Sequence, residues 1–168
     1  MKFLLDTYTV LWLFEGNENL PPNIRELIYC AENEVYASIV SAWEIAIKVG
    51  LNKLDFKGGV AAFFAKLSPN NIDLIYLSQE HIEFVETLPM LHRDSFDRLL
   101  VPTALAENLT IITIDENIHK YDAAWIWQPK GDNENEKFKN FKRRFAGCGG
   151  VGCRPLPYCG LARRLIAR

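Results

Sequence analysis

Five acidic residues occupy positions from which carboxylates could act together on one ligand. Asp6 and Asp115 each follow directly after a predicted buried strand, and Glu44 opens the predicted helix after another strand. Asp94 and Asp97 lie three residues apart at the start of an apolar run with helical spacing, so both should lie near one helix face. Clustered carboxylates repel one another unless a cation resolves their charge. Oxygen ligands of this kind suit Mg²⁺ or Mn²⁺ rather than zinc.

Each of these acids also has a purely structural explanation. Asp94 fits a helix N-cap with Asp97 as the third helical residue, and Ser41 with Glu44 fits a capping box. The two acids at strand ends suit turns or caps. Acids in a first helical turn stabilise a helix by about 0.3–1 kcal/mol without any further role. Taken together, however, the five acids favour a functional site over helix capping. All five are predicted at one sheet edge, and no Lys or Arg is expected to neutralise Glu44 or the strand-end acids.

Strand-like and helical segments alternate along the first three quarters of the chain. The helix after Asp94 is predicted to run to about Asn108, with a kink or an early end at Pro102. The alternation predicts an α/β fold, with a parallel sheet covered by helices on both faces. Ligands of such sheets bind beyond the carboxyl ends of the strands. The predicted strands are Lys2–Leu5, Val35–Ser38, Ile72–Leu77, Thr110–Ile114 and Ala124–Trp127.

The net charge of −2 for the 168 residues conceals an uneven distribution. Residues 1–128 carry 9 Lys and Arg against 18 Asp and Glu, whereas residues 129–168 carry 10 against 3. We therefore expect one domain over residues 1–128 and a basic Gly/Cys/Arg-rich C-terminal tail over residues 129–168 that is poorly ordered. An acidic domain does not attract nucleic acid by itself, but bound cations in it would.

Several other classes of protein fit the sequence less well. No apolar run is long enough to span a bilayer, and Asp6 interrupts the apolar start that a signal peptide would need, so we expect a cytoplasmic protein without a membrane partner. One cysteine lies in the body and three lie in the tail, which does not resemble a secreted disulfide framework. The tail cysteines, with spacings C-x4-C and C-x5-C, lack the fourth ligand of a structural zinc site: Cys148, Cys153 and Cys159.

Four stretches together resemble the PIN-domain ribonucleases, in particular the VapC-type toxins of bacterial toxin–antitoxin pairs. They are Leu4-Leu5-Asp6-Thr7, Ser41-Ala-Trp-Glu44-Ile45, the nine residues from His92 to Leu100, and Thr113-Ile114-Asp115. Their order and spacing cover about residues 1–127. The resemblance implies a three-layer α/β/α sandwich around a central parallel sheet and a Mg²⁺-dependent endoribonuclease, with Mn²⁺ as an alternative metal. It also implies an RNA substrate, a homodimer and a cognate antitoxin protein.

The same resemblance implies a role for each acid. Asp6, Glu44, Asp97 and Asp115 would be both the metal-binding and the catalytic residues. Asp94 would be a supporting acid of this subgroup, and Thr113 would supply a hydroxyl that orients the last acid. Hydrolysis would use a metal-activated water and leave a 5′-phosphate.

Two other functions remain open at the level of the sequence. Ser95 stands where a proline is usual in this subgroup, and Pro102 lies within the following helix. Both departures flank Asp97, which leaves room for a catalytically impaired PIN-fold module that holds an antitoxin or RNA without cleavage. A haloacid-type phosphatase with Asp6 as nucleophile is disfavoured, because it needs a second acid two residues later, where Tyr8 stands.

Overall fold

The computed structural model describes residues 1–127, in which five parallel strands form a single sheet. The strand order is β3-β2-β1-β4-β5, and every neighbouring pair is parallel. This arrangement confirms the predicted parallel sheet, although its last three strands are shorter than predicted. The predicted basic tail and its cysteines lie outside the described residues. The strands are β1 Lys2–Leu5, β2 Glu34–Ser38, β3 Ile72–Ile75, β4 Thr110–Ile112 and β5 Trp125–Ile126.

Six α-helices connect the strands. The first begins after β1 and ends at Glu15. Its C-cap is Gly16, whose φ of 67° is a left-handed conformation that glycine adopts without strain. Within residues 1–127, no helix is long and apolar enough to cross a membrane. The helices are α1 Thr7–Glu15, α2 Pro22–Tyr29, α3 Ile39–Gly50, α4 Gly59–Leu67, α5 Gln79–Thr87 and α6 Asp97–Ala106.

The central strand β1 shows how the sequence builds two cores. Successive strand side chains point to opposite faces of a sheet. Phe3 and Leu5 pack into a cluster with buried residues of α1 to α4, whereas Leu4 packs on the other face with Leu100 and Val101 of α6. Each such fully buried side chain contributes about 1.5–3 kcal/mol to folding. The sheet is therefore covered on both faces, and the predicted three-layer α/β/α sandwich is confirmed.

The register of the sheet aligns the carboxyl ends of its central strands. Leu5 at the end of β1 pairs with Ala37 of β2 and with Ile112 of β4. The backbone N–H of Asp6 and the hydroxyl of Thr9 both donate to the carbonyl of Ile112, at 3.2 and 2.8 Å. These bonds fix the start of α1 against the end of β4, so residues that follow the two strands emerge side by side.

The predicted capping box of Ser41 and Glu44 is wrong. Helix α3 begins at Ile39, and its N-cap is Ser38, whose hydroxyl accepts from the backbone N–H of Val40 at 3.1 Å. Because Ser38 caps the helix three residues earlier than predicted, Glu44 lies in the second turn. Glu44 is thus free of a capping role, and capping does not explain an acid at this position.

The predicted cap of α6 is also wrong in detail. The helix begins at Asp97 itself, and the Asp94 carboxylate accepts from the backbone N–H of Phe96 at 2.8 Å in the turn before it. Asp97 is therefore the first helical residue and not the third. The helix ends at Ala106, two residues before the predicted end, and it contains Pro102, which has no N–H to donate within the helix.

Candidate functional site

Asp6 is a buried carboxylate at the carboxyl end of β1. It is the N-cap of α1: one carboxylate oxygen accepts from the backbone N–H of Thr7 at 2.6 Å, and the other accepts from the Thr113 hydroxyl at 3.0 Å. Burial raises the pKa of Asp6 to about 7 against the effect of these two donors, and the charges of Glu44 and Asp115 raise it further. At neutral pH the folded protein therefore holds a carboxylate that is readily protonated.

Thr113 joins two of the candidate acids. Its hydroxyl is fully buried, donates to Asp6 and accepts from the backbone N–H of Asp115 at 2.9 Å. The Asp115 carboxylate accepts in turn from the backbone N–H of Asn117 at 2.7 Å, in the turn after β4. One hydroxyl thus sets the relative positions of the two acids that follow β1 and β4.

Glu44 reaches the site from α3 and has a basic neighbour. Its buried carboxylate forms an ion pair with Lys48, one helical turn later. The Lys48 ammonium also lies 3.4 Å from the hydroxyl of Tyr8 and 4.7 Å from the centroid of its ring. The expectation that no Lys or Arg neutralises these acids is therefore wrong, because the i,i+4 spacing on α3 brings Lys48 onto Glu44.

Asp97 carries the most perturbed carboxylate of the described residues. Its side chain is 13% exposed, and burial, followed by the charge of Asp94 and those of the other three acids, raises its pKa to about 8. His92 lies beside it, with Nδ1 at 4.0 Å from Asp97 Oδ2 and accepting from the backbone N–H of Asp94 at 3.2 Å. Helix α6 therefore presents at its start a carboxylate whose negative charge is disfavoured.

Two buried polar atoms near Asp97 have no hydrogen-bond partner within residues 1–127. These atoms are Nε2 of His92 and the hydroxyl oxygen of Tyr121, and the two rings meet edge to face with centroids 5.3 Å apart. Buried polar atoms of this kind are usually satisfied by ordered water or a ligand. The sequence motif includes His92 but gives no sign of Tyr121, because the two residues are far apart in the chain and no spacing pattern links them.

The acids come from four separate segments and meet at one edge of the sheet. Asp6 and Asp115 share Thr113, and the charges of Asp6, Glu44 and Asp115 all act on Asp97. Within the described part of the chain, however, no three His, Cys, Asp or Glu side chains are drawn together closely enough to hold a metal ion. The side chains brought to this edge are all carboxylates, which are ligands of hard divalent cations.

The family to which the chain belongs is decided by its sequence as a whole. The PIN domain model matches residues 3–124. The chain belongs to the PIN domain family. All four of the acids at the sheet edge lie within the matched segment of this PIN domain, whereas residues 129–168 lie beyond it.

Solved structures share this fold at low sequence identity. One is VapBC2 from Rickettsia felis bound to a DNA fragment from its promoter, with 18% identity, a TM-score of 0.59, and coverage of 75% of this chain and 98% of the matched chain. Another is VapBC-1 from nontypeable Haemophilus influenzae, with 19% identity, a TM-score of 0.55, and coverage of 75% and 97%. A third is FitAB bound to the IR36 DNA fragment, with 18% identity, a TM-score of 0.53, and coverage of 78% and 99%. No curated protein matches the chain at a significant level.

Proposed function

We propose that this PIN domain is a Mg²⁺-dependent endoribonuclease and the VapC-type toxin of a toxin–antitoxin pair. The proposal rests above all on one observation: carboxylates from four segments meet at the carboxyl edge of the sheet, where the pKa of Asp6 is raised to about 7 and that of Asp97 to about 8. The folded protein keeps these carboxylates close enough to repel one another, and a purely structural role of the acids would not require this. Perturbed carboxylates at the carboxyl edge of a parallel sheet are typical of a functional site.

The carboxylate oxygens of these acids are of the type that binds a divalent cation, and the proposal assigns a task to each acid. Asp6, Glu44, Asp97 and Asp115 would hold the ion, which when bound would neutralise the acids, polarise a phosphodiester and activate a water for attack. Thr113 keeps the carboxylates of Asp6 and Asp115 in fixed relative positions through its two hydrogen bonds. Positioning of this kind accounts for a large share of catalysis in such sites.

Two further residues act on these acids. Asp94 supports the site by adding negative charge beside Asp97. Lys48 neutralises Glu44 and so limits the repulsion among the acids that the folded protein must bear.

The partners follow from the same assignment. The neighbours in fold are VapBC and FitAB assemblies, which supports a cognate antitoxin for this chain. We further propose a homodimer that acts on RNA in the cytoplasm. Residues 1–128 would form the nuclease domain, because the PIN domain model matches residues 3–124 within this range. The basic tail of residues 129–168 would not be needed for catalysis.

The purified full chain is expected to cleave unpaired RNA in the presence of Mg²⁺ or Mn²⁺. Cleavage should stop in excess EDTA and return when Mg²⁺ is restored, because the acids repel both one another and the phosphate when no cation is bound. The measurement is gel analysis of a labelled single-stranded RNA, together with an assay for 5′-phosphate ends on the products. A base-paired RNA of the same sequence serves as the control substrate.

Two results would contradict this assignment. Cleavage that continues undiminished in excess EDTA would exclude a metal-dependent reaction. Binding of the RNA without any cleavage in Mg²⁺ or Mn²⁺ would instead support a PIN-fold module that holds RNA or an antitoxin, with Lys48 as the permanent counter-ion of Glu44.

A further inference from the structure

A pair of aromatic residues borders the acidic site on its α3 and α6 side. The rings of Trp43 and Phe96 meet edge to face, with centroids 5.6 Å apart and an interplanar angle of 81°. Trp43 immediately precedes Glu44 on α3, and Phe96 immediately precedes Asp97 at the start of α6. The pair therefore joins the two segments that deliver these acids to the sheet edge.

Neither ring belongs to the hydrophobic cores of the described domain. Trp43 is 53% exposed, and both residues are absent from the two buried clusters, whereas Trp12 and Trp127 pack within the cluster under α1 to α4. An exposed tryptophan contributes little to folding relative to its size. The edge-to-face contact nevertheless restrains the two rings, so the exposed surface of Trp43 is held in a defined orientation.

We propose that Trp43 and Phe96 form a stacking subsite for an unpaired nucleobase of the nucleotide that adjoins the scissile phosphate. The inference rests on the proposed ribonuclease function. If Glu44 and Asp97 act on a phosphodiester, the bases attached to the two flanking sugars are the flat groups that come closest to residues 43 and 96. Aromatic side chains bind bases of any sequence by stacking, and only an unpaired base can leave its own strand to reach them.

The charge of the domain explains why such a subsite is needed. Residues 1–128 carry a formal net charge of −9, so this domain by itself does not attract a polyanion at long range. Stacking depends much less on salt than phosphate contacts do. An RNA that is held by its bases could therefore bind this acidic surface, whereas an RNA that is held only by its phosphates would not.

The test combines a change in the protein with a change in the RNA. The substrate is a labelled single-stranded RNA whose cleavage position has been mapped. A second substrate carries one abasic nucleotide next to that position. On the intact RNA, Trp43→Leu is expected to raise KM by roughly tenfold. The Kd for the same RNA, measured by fluorescence anisotropy with Ca²⁺ in place of Mg²⁺, should rise by roughly the same factor. We expect kcat to change by less than about threefold, since Leu removes ground-state binding and not a reacting group.

The distinguishing result is the double change. On the abasic RNA, wild type should bind as weakly as Trp43→Leu, so the substitution should have little further effect. Trp43→Phe should retain most of the affinity for intact RNA, because a smaller aromatic face remains. The matched control is Phe64→Leu, which removes an exposed ring that also meets a neighbour edge to face, Phe63 at 5.4 Å, on a helix that carries none of the acids.

Other outcomes overturn the proposal in distinguishable ways. An unchanged KM and Kd for Trp43→Leu would exclude a base-binding role while leaving the nuclease assignment intact. An equal loss on intact and abasic RNA would show that Trp43 acts on the fold of the site and not on a base. A change in oligomeric state by light scattering, without a change in RNA affinity, would assign the ring pair to a protein interface. If the wild-type protein binds the intact RNA more tightly than the abasic RNA but cleaves neither, the stacking subsite would be supported and the nuclease assignment contradicted.

Discussion

Asp6→Asn is expected to reduce RNA cleavage by more than about 100-fold. Mutation of a residue that merely hydrogen-bonds to a metal ligand already lowers metal affinity or activity by about 10–100-fold, and Asp6 is proposed to be a ligand itself. The change removes the charge of a buried acid at the carboxyl end of β1. It should not unfold the protein. The Asn amide oxygen can still accept from the N–H of Thr7, and its NH₂ group can donate to the Thr113 hydroxyl, which keeps a free lone pair.

The matched control for this substitution is Asp73→Asn. Asp73 is an exposed aspartate on the edge strand β3, so its charge can be removed without touching the site. Steady-state cleavage of the same RNA by both variants and by wild type is the measurement. Full activity of Asp6→Asn, with its fold verified by circular dichroism, would remove Asp6 from the catalytic assignment.

Asp97→Asn is expected to make the metal-free protein more stable at alkaline pH. The pKa of Asp97 is about 8 in the folded protein, against 3.8 for an unperturbed aspartate. Between these values the folded state keeps a proton that the unfolded state has lost, so wild-type stability falls as pH rises from about 4 to about 8. Asn never acquires the charge. The variant should match wild type near pH 4 and exceed it by about 1–3 kcal/mol at pH 9, after allowance for the partial exposure of the site.

Urea unfolding in EDTA at pH 5, 7 and 9 measures this difference directly. Asp73→Asn again supplies the control, since it removes an exposed carboxylate of the edge strand β3 outside the site. If Asp97 only stabilises the first turn of α6 through the helix dipole, the variant would be less stable than wild type by up to about 1 kcal/mol across the whole range. That outcome would return Asp97 to a structural role.

The sheet could be predicted from the sequence because its signal is local. Short apolar runs alternate with helical patterns. Asp6 directly follows β1, and Asp115 follows β4 after Thr113 and Ile114, so parallel pairing of the two strands brings both acids to one edge. The starts of α3 and α6 could not be predicted as well. Ser38 and Ser41 both fit an N-cap, and the structure places the cap at Ser38, the last residue of β2.

The side-chain contacts of the site were harder to predict from the sequence than the positions of its residues along the backbone. The Glu44–Lys48 pair has an i,i+4 spacing that was available in the sequence, but its relevance depends on knowing that Glu44 lies in the second turn of α3. The contact of His92 with Tyr121 joins residues that only the folded chain brings together. The hydroxyl bridge of Thr113 was suggested by family resemblance, and its two bonds could be measured only in the structure.

Calorimetric titration of the metal-free protein with Mg²⁺ or Mn²⁺ tests the central claim most directly. At pH 7, Asp97 is mostly protonated and Asp6 is partly protonated, so binding of a cation should release protons and its heat should vary with the ionisation enthalpy of the buffer. Asp97→Asn should bind the ion more weakly and release fewer protons, whereas Asp73→Asn should behave as wild type. No detectable binding at millimolar metal, or equal binding and proton release by Asp97→Asn and wild type, would contradict a metal site built from these four acids.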